Sequence, residues 1–219
     1  MNKIIINAAI VFELSVVQLV HGQGTTYLSN LSQPSSGSLN VSEDSQYAVL
    51  FHTGNNGNGY TLNSLQLAMT DAAGNPSGFT VMIYTAVGVL GAKPGSSLGA
   101  LDGSANPSTT GIYTYADVSN IVLSSHTYYF FLMTAATTVS NGSYELSLAG
   151  VNSYNPSGGW AITGGASSGV FYSNNGSSWN SVSGTYPQFA LNATAIPEPG
   201  TLGLLGLGGL GFVWHRRRL

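Results

Sequence analysis

The sequence predicts an all-β domain, an antiparallel β-sandwich with jelly-roll-like topology. It also predicts a signal helix at the N-terminus and a short transmembrane helix at the C-terminus. Three observations carry this expectation. Apolar residues alternate with a period of two along many short runs, the runs are separated by Gly, Asn and Pro, and no 12-residue window between 30 and 195 shows a helical stripe with caps.

The runs can be taken in chain order. Gln46 to His52 places Tyr47, Val49 and Phe51 on one face. Leu65, Leu67 and Met69 keep the same period, as do Phe79, Val81 and Ile83. Ile112 to Tyr115 is β-favouring. Thr127 to Met133 is apolar on both faces, Tyr129, Phe131 and Met133 against Tyr128, Phe130 and Leu132. This predicts a central strand, buried on one side and covered by aromatics on the other. Tyr144, Leu146 and Leu148 alternate again, and shorter candidates follow at 160–163, 170–172 and 188–192.

The connectors have turn chemistry. Asp71 to Gly78 (DAAGNPSG) separates two alternating runs and reads as a hairpin loop. Gly54 to Gly59 (GNNGNG) reads as a mobile loop. Asn106-Pro107, Asn141-Gly142, Asn155-Pro156 and Asn175-Gly176 mark further turns.

Composition excludes several function classes. The chain of 219 residues has no cysteine, so disulfides, thiolate metal sites and a Cys nucleophile are excluded. Four of its five basic residues, Lys3, Arg216, Arg217 and Arg218, lie in the terminal segments. Between them, Lys93 alone faces Glu43, Asp44, Asp71, Asp102, Asp117 and Glu145. Such a domain cannot neutralise phosphates, so no nucleic-acid partner is expected. Aromatic residues at 11% argue for a packed core rather than disorder.

The two ends read as addresses. Met1 to Gly22 has the form of a secretory signal peptide: Lys3, then a mostly apolar run from Ile4 to Val20, then Val20-His21-Gly22 as a cleavage site. Glu13 interrupts the apolar run at a cost in a membrane. At the other end stand Ile196-Pro197-Glu198-Pro199-Gly200-Thr201, an uncharged stretch from Leu202 to Trp214, and Arg216-Arg217-Arg218. As a helix the uncharged stretch would reach about 20 Å, against about 30 Å of bilayer core. Gly203, Gly206, Gly208, Gly209 and Gly211 weaken it further. That suits a temporary anchor, with the arginines held in the cytoplasm.

This tail resembles the PEP-CTERM sorting signal of Gram-negative bacteria, over residues 196–219. The resemblance implies an exosortase-type transpeptidase as partner and transient anchoring in the inner membrane. It implies display at the cell surface or in an extracellular, exopolysaccharide-associated matrix. Recognition would fall on Glu198, between Pro197 and Pro199, and Arg216, Arg217 and Arg218 would stop transfer. The prolines hold the peptide extended. Residues 23–195 would be the β domain carried by this signal. Part of it, roughly residues 40 to 195, resembles the choice-of-anchor R domain. The likeness rests on Tyr60 to Met69, Gly74 to Tyr84, Gly111 to Tyr115 and Ile121 to Tyr129. It carries fold and location and no catalytic motif.

No catalytic residue is expected. Between the terminal segments only His52 and His126 remain as histidines, and neither adjoins a Gly-x-Ser-x-Gly elbow. The six carboxylates sit in or beside predicted turns, except Glu145, which should point outward opposite Tyr144 and Leu146. No cofactor or metal is expected. Asp71 with Asn75 and Asp102 with Asn106 are weak calcium candidates without the Asp-x-Asp-x-Asp-Gly pattern, and Asx-turns explain the same residues. A specific alternative is a carbohydrate-binding module. Trp160, Tyr172, Trp179 and Tyr186 lie in a Gly/Ser/Asn-rich stretch and could stack on sugar rings. The competing reading makes them caps on the core.

Overall fold

The computed structural model describes residues 24–88, 92–162 and 169–198. The expected signal helix and the expected short transmembrane helix lie outside the described residues. Within them the chain is all β. No helix there is long and apolar enough to cross a membrane, which says nothing of strands.

The strands in chain order are β1 (Thr25–Ser29), β2 (Ser35–Val41), β3 (Gln46–His52), β4 (Tyr60–Gly74), β5 (Thr80–Val87), β6 (Lys93–Leu101) and β7 (Gly111–Ala116). They continue as β8 (Val122–Leu123), β9 (Tyr128–Thr134), β10 (Gly142–Ala149), β11 (Ala161–Ile162), β12 (Val170–Ser173), β13 (Asn180–Val182) and β14 (Phe189–Ala195). Two antiparallel sheets result. The first runs β1-β14-β4-β10-β2, with β7 and β8 also paired to β4. The second runs β13-β12-β3-β9-β5-β6, with β11 also paired to β3.

The long strand β4 organises the first sheet. Its first half pairs with β14, Leu65 opposite Leu191, and its second half with β10, Met69 opposite Leu146. Its other edge takes β7 and β8. A bulge at Asn63 interrupts it: Asn192 faces Ser64, but Ala193 faces Leu62. The extra residue shifts the alternation by one. Tyr60 and Leu62 therefore point inward before it, and Leu65, Leu67 and Met69 after it.

The core lies between the sheets. Tyr47, Val49 and Phe51 of β3 and Tyr129, Phe131 and Met133 of β9 meet Leu65, Leu67, Tyr144, Leu146, Phe189 and Leu191 from the first sheet. Phe131 and Phe189 touch edge to face across the gap, ring centroids 4.8 Å apart. Each such fully buried side chain contributes about 1.5–3 kcal/mol. The two outer faces differ. That of the second sheet carries a smaller apolar cluster of Ala48, Leu50, Phe130, Leu132 and Phe171. That of the first sheet is polar: Ser147 donates to Gln188 Oε1 at 2.6 Å, and Asn192 donates to Ser64 Oγ at 3.1 Å. β9 is thus the central, two-faced strand that its sequence predicts.

Two expectations are corrected. Asp71–Gly78 is no hairpin loop. Its first residues extend β4, where Gly74 faces Gly142, and the rest carries the chain across to the other sheet, where β5 pairs with β6 and β9. Alternation on both sides of a connector cannot say whether its strands share a sheet. Glu145 is not exposed. It does lie opposite Tyr144 and Leu146, but it is buried, accepting from Ser38 Oγ at 2.7 Å and Ser143 Oγ at 2.9 Å. One hydroxyl from the neighbouring strand β2 and one from its own strand replace its water.

Candidate functional site

β14 ends at Ala195, and the chain enters Ile196-Pro197-Glu198 without a linker. A proline restricts the residue before it to extended backbone, so Ile196 continues the strand direction. The loop Gly54–Gly59, between β3 and β4, meets this segment. Ile196 N–H donates to the Gly59 carbonyl at 3.0 Å. Asn56 Nδ2 donates to the Ile196 carbonyl at 3.0 Å and also to the Gly59 carbonyl. Asn58 Nδ2 donates to the Pro197 carbonyl at 2.8 Å. Each backbone polar group from Ile196 N–H to the Pro197 carbonyl is therefore paired, while the Pro197 and Glu198 side chains are exposed.

The loop is tethered in turn. Asn56 N–H donates to the Tyr60 hydroxyl at 3.1 Å, and His126 N–H donates to the Gly54 carbonyl at 2.9 Å. Gly54 packs so closely that a Cβ there would overlap the Gly158 carbonyl. Gly59 has φ +79°, the left-handed region that a side chain disfavours. Beneath the loop the core is sealed by aromatics. Trp160 stacks on Tyr27 (4.9 Å, 18°) and Phe51 (5.8 Å, 4°) and meets Tyr60 edge-on (5.0 Å, 78°).

The four aromatics proposed for sugar stacking are not gathered into one platform. Trp160 is 2% exposed and cannot offer a ring face to a ligand. Its stacking on Tyr27 and Phe51 makes it a core cap. Tyr172 packs toward the main core beside Tyr47, centroids 5.4 Å apart. Trp179 packs on the apolar cluster of the opposite face. Tyr186 is half-buried, and its carbonyl accepts from Ala149 N–H at 2.8 Å.

The calcium candidates have local structural partners. Asp71 accepts from Thr110 N–H at 2.7 Å and from its hydroxyl at 2.9 Å. Those bonds lower its pKa below the usual carboxylate range. Asp102 exchanges backbone hydrogen bonds with Ala116, and the Asn106 side-chain oxygen accepts from the Tyr144 hydroxyl at 3.0 Å. Among the described residues no group of three or more His, Asp or Glu side chains is placed to hold a metal. His52 and His126 come together, rings 6.0 Å apart, with Tyr128 4.6 Å from His52. His126 holds φ +48° in its turn.

Of the tail residues, Pro197 and Glu198 are the two placed. Pro199 and Arg216, Arg217 and Arg218 lie outside the described residues. The asparagine clasp on the tail is a contact the sequence does not announce. Asn56 and Asn58 are about 140 positions from their acceptors, and the one local hint is two amide side chains two residues apart.

Searches of curated proteins and of solved structures returned no match to the chain. The family comparison matches residues 195–218, described as the PEP-CTERM protein-sorting motif. The closing strand of the β domain thus leads straight into a PEP-CTERM sorting motif, the signal that marks an exported substrate of an exosortase.

Proposed function

We propose that this is a non-enzymatic surface or matrix protein, delivered by exosortase processing and held among extracellular polysaccharide. The observation that carries the reading is the sorting motif itself, issuing from the last core strand with Pro197 and Glu198 exposed. The inner membrane holds the tail only in passing, because the apolar run from Leu202 to Trp214 is short and glycine-rich. Met1 to Gly22 serves as the export signal. The resemblance of residues 40 to 195 to the choice-of-anchor R domain supports the same division between cargo and address.

The carboxylates support a structural rather than a chemical role. Asp44 accepts from Ser42 Oγ at 2.7 Å and Val139 N–H at 2.8 Å, and Asp117 accepts from Ser119 N–H at 2.8 Å. Asp71 and Glu145 are occupied in the same way. Asp44, Asp71 and Glu145 each tie a loop or strand to its neighbour, and Asp117 braces its own turn.

The test is expression with and without an exosortase, followed by intact-mass measurement and fractionation of cells, matrix and medium. Loss of the C-terminal Arg tail only when the enzyme is present, with the product in the matrix fraction, is the expected result. Surface-released protein that retains Arg216 to Arg218 would sink the reading.

A further inference from the structure

The contacts between the Asn loop and the tail bear on how the motif is read. An enzyme that acts on a peptide needs it extended and within reach. A free tail must be ordered at the moment of binding, and that ordering lowers affinity. Here the ordering is done in advance. Asn56 and Asn58 hold the backbone carbonyls of Ile196 and Pro197, and Gly59 holds the Ile196 amide. The clasp uses backbone groups alone, so the Pro197 and Glu198 side chains stay exposed for recognition.

Distance adds a second argument. Pro199, Gly200 and Thr201 alone separate Glu198 from the apolar run. Fully extended, the steps from Glu198 to Leu202 cover at most about 14 Å. While the tail is inserted, the end of the sandwich bearing Asn58 therefore stands over the membrane surface. A motif swinging freely at that short range would often be shielded by its own domain. A motif pinned on the domain's rim points one way.

We propose that Asn56 and Asn58 are positioning residues for exosortase processing, presenting the Pro197-Glu198 segment extended and side chains outward at the membrane-facing end of the domain. This rests on the exosortase reading above. The test compares the full-length protein in detergent, wild type against the isosteric double variant Asn56→Asp/Asn58→Asp and the double alanine variant. Asp keeps the shape of Asn and loses its donors. Hydrogen exchange at the Ile196 amide measures the clasp without any enzyme. Processing by exosortase-containing membranes, with KM and kcat resolved, measures presentation.

Losing the two hydrogen bonds to the tail, together with the one from Asn56 to the Gly59 carbonyl, should speed Ile196 exchange by about tenfold or more. KM for tail removal should rise by about three- to tenfold with kcat little changed, since pre-organisation acts on binding. The thermal midpoint of the domain should fall by no more than about 4 °C, since the lost bonds are part-buried or exposed at the domain's rim and no core side chain is removed. Unchanged Ile196 exchange would show that the two asparagines do not hold the tail and would overturn the proposal. Faster exchange with unchanged or improved processing would overturn it equally, by showing that the enzyme takes the free tail. If wild type keeps its tail while another PEP-CTERM protein in the same membranes is processed, the exosortase reading fails, and this inference with it.

Discussion

Replacing Trp160 with alanine should cost this domain about half of a typical stability. Trp160 is 2% exposed, so nearly its whole side chain leaves water on folding. Taking about 200 Å² of buried surface at about 25 cal/mol per Å² gives ~5 kcal/mol. Truncations of buried tryptophan or phenylalanine fall at about 3–5 kcal/mol, the spread reflecting how far the hole collapses. Here collapse is limited. Phe51 and Tyr60 are strand residues held in register, and Tyr27, at the bulge of β1, stacks on the indole. The upper part of that range is expected, against a total of about 5–15 kcal/mol for a single domain. Trp160→Phe should behave differently. The indole N–H is buried without a hydrogen-bond partner, so its removal relieves a penalty of about 1–3 kcal/mol and offsets much of the lost area. Urea unfolding followed by circular dichroism separates the two. With a slope of about 2 kcal/mol per M, the alanine variant should lower the midpoint by about 2 M and the phenylalanine variant by less than about 0.5 M. An alanine variant that keeps its midpoint and instead loses polysaccharide binding would refute the core reading of Trp160. It would also restore the sugar-stacking alternative.

Two further outcomes follow from the same geometry. Gly54→Ala should destabilise by about 2 kcal/mol or more, because its Cβ would overlap the Gly158 carbonyl and neither backbone can yield cheaply; a normal urea midpoint would show that the loop sits differently. Burial raises the phenol pKa of Tyr27, Tyr47, Tyr115, Tyr144 and Tyr154. The folded state thus keeps protons that the unfolded chain gives up near about pH 10. Stability is full below that pH and falls as pH rises toward the folded values. Ultraviolet titration should show these tyrosines ionising late and together with unfolding; one ordinary transition for every tyrosine, with the fold intact, would contradict the burial.

What was legible in the sequence was the part governed by local periodicity. β3, β9 and β10 carry large apolar residues at alternate positions, and their inward faces fall where alternation puts them. β2 (SSGSLNV) and β6 (KPGSSLGAL) were not legible, because Ser, Gly and Pro there have poor strand preference. Both lie at the ends of their sheets, where one partner suffices and Pro94 withholds no needed donor. The phase of β4 was readable only after its bulge, since Tyr60 and Leu62 alternate out of step with Leu65. Sheet membership was illegible for a different reason. The crossing from β4 to β5 depends on pairings with β10 and β9, far along the chain. The tail motif was legible as composition and order. Its clasp was not, because hydrogen bonds from Asn56 and Asn58 to Ile196 and Pro197 leave no local pattern.

The position of β14 has a consequence for timing. The strand lies between β1 and β4, so the first and last strands of the domain close on each other inside the first sheet. A chain threaded across a membrane from its N-terminus delivers β14 last, and seven residues later the apolar run begins at Leu202. Until then β4 lacks its neighbour, and Leu191 is missing from opposite Leu65. Completion of the sheet and arrest of the tail therefore happen almost together. On the proposed export route, closure on the far side would oppose back-sliding of residues 189–195 as the apolar run reaches the membrane.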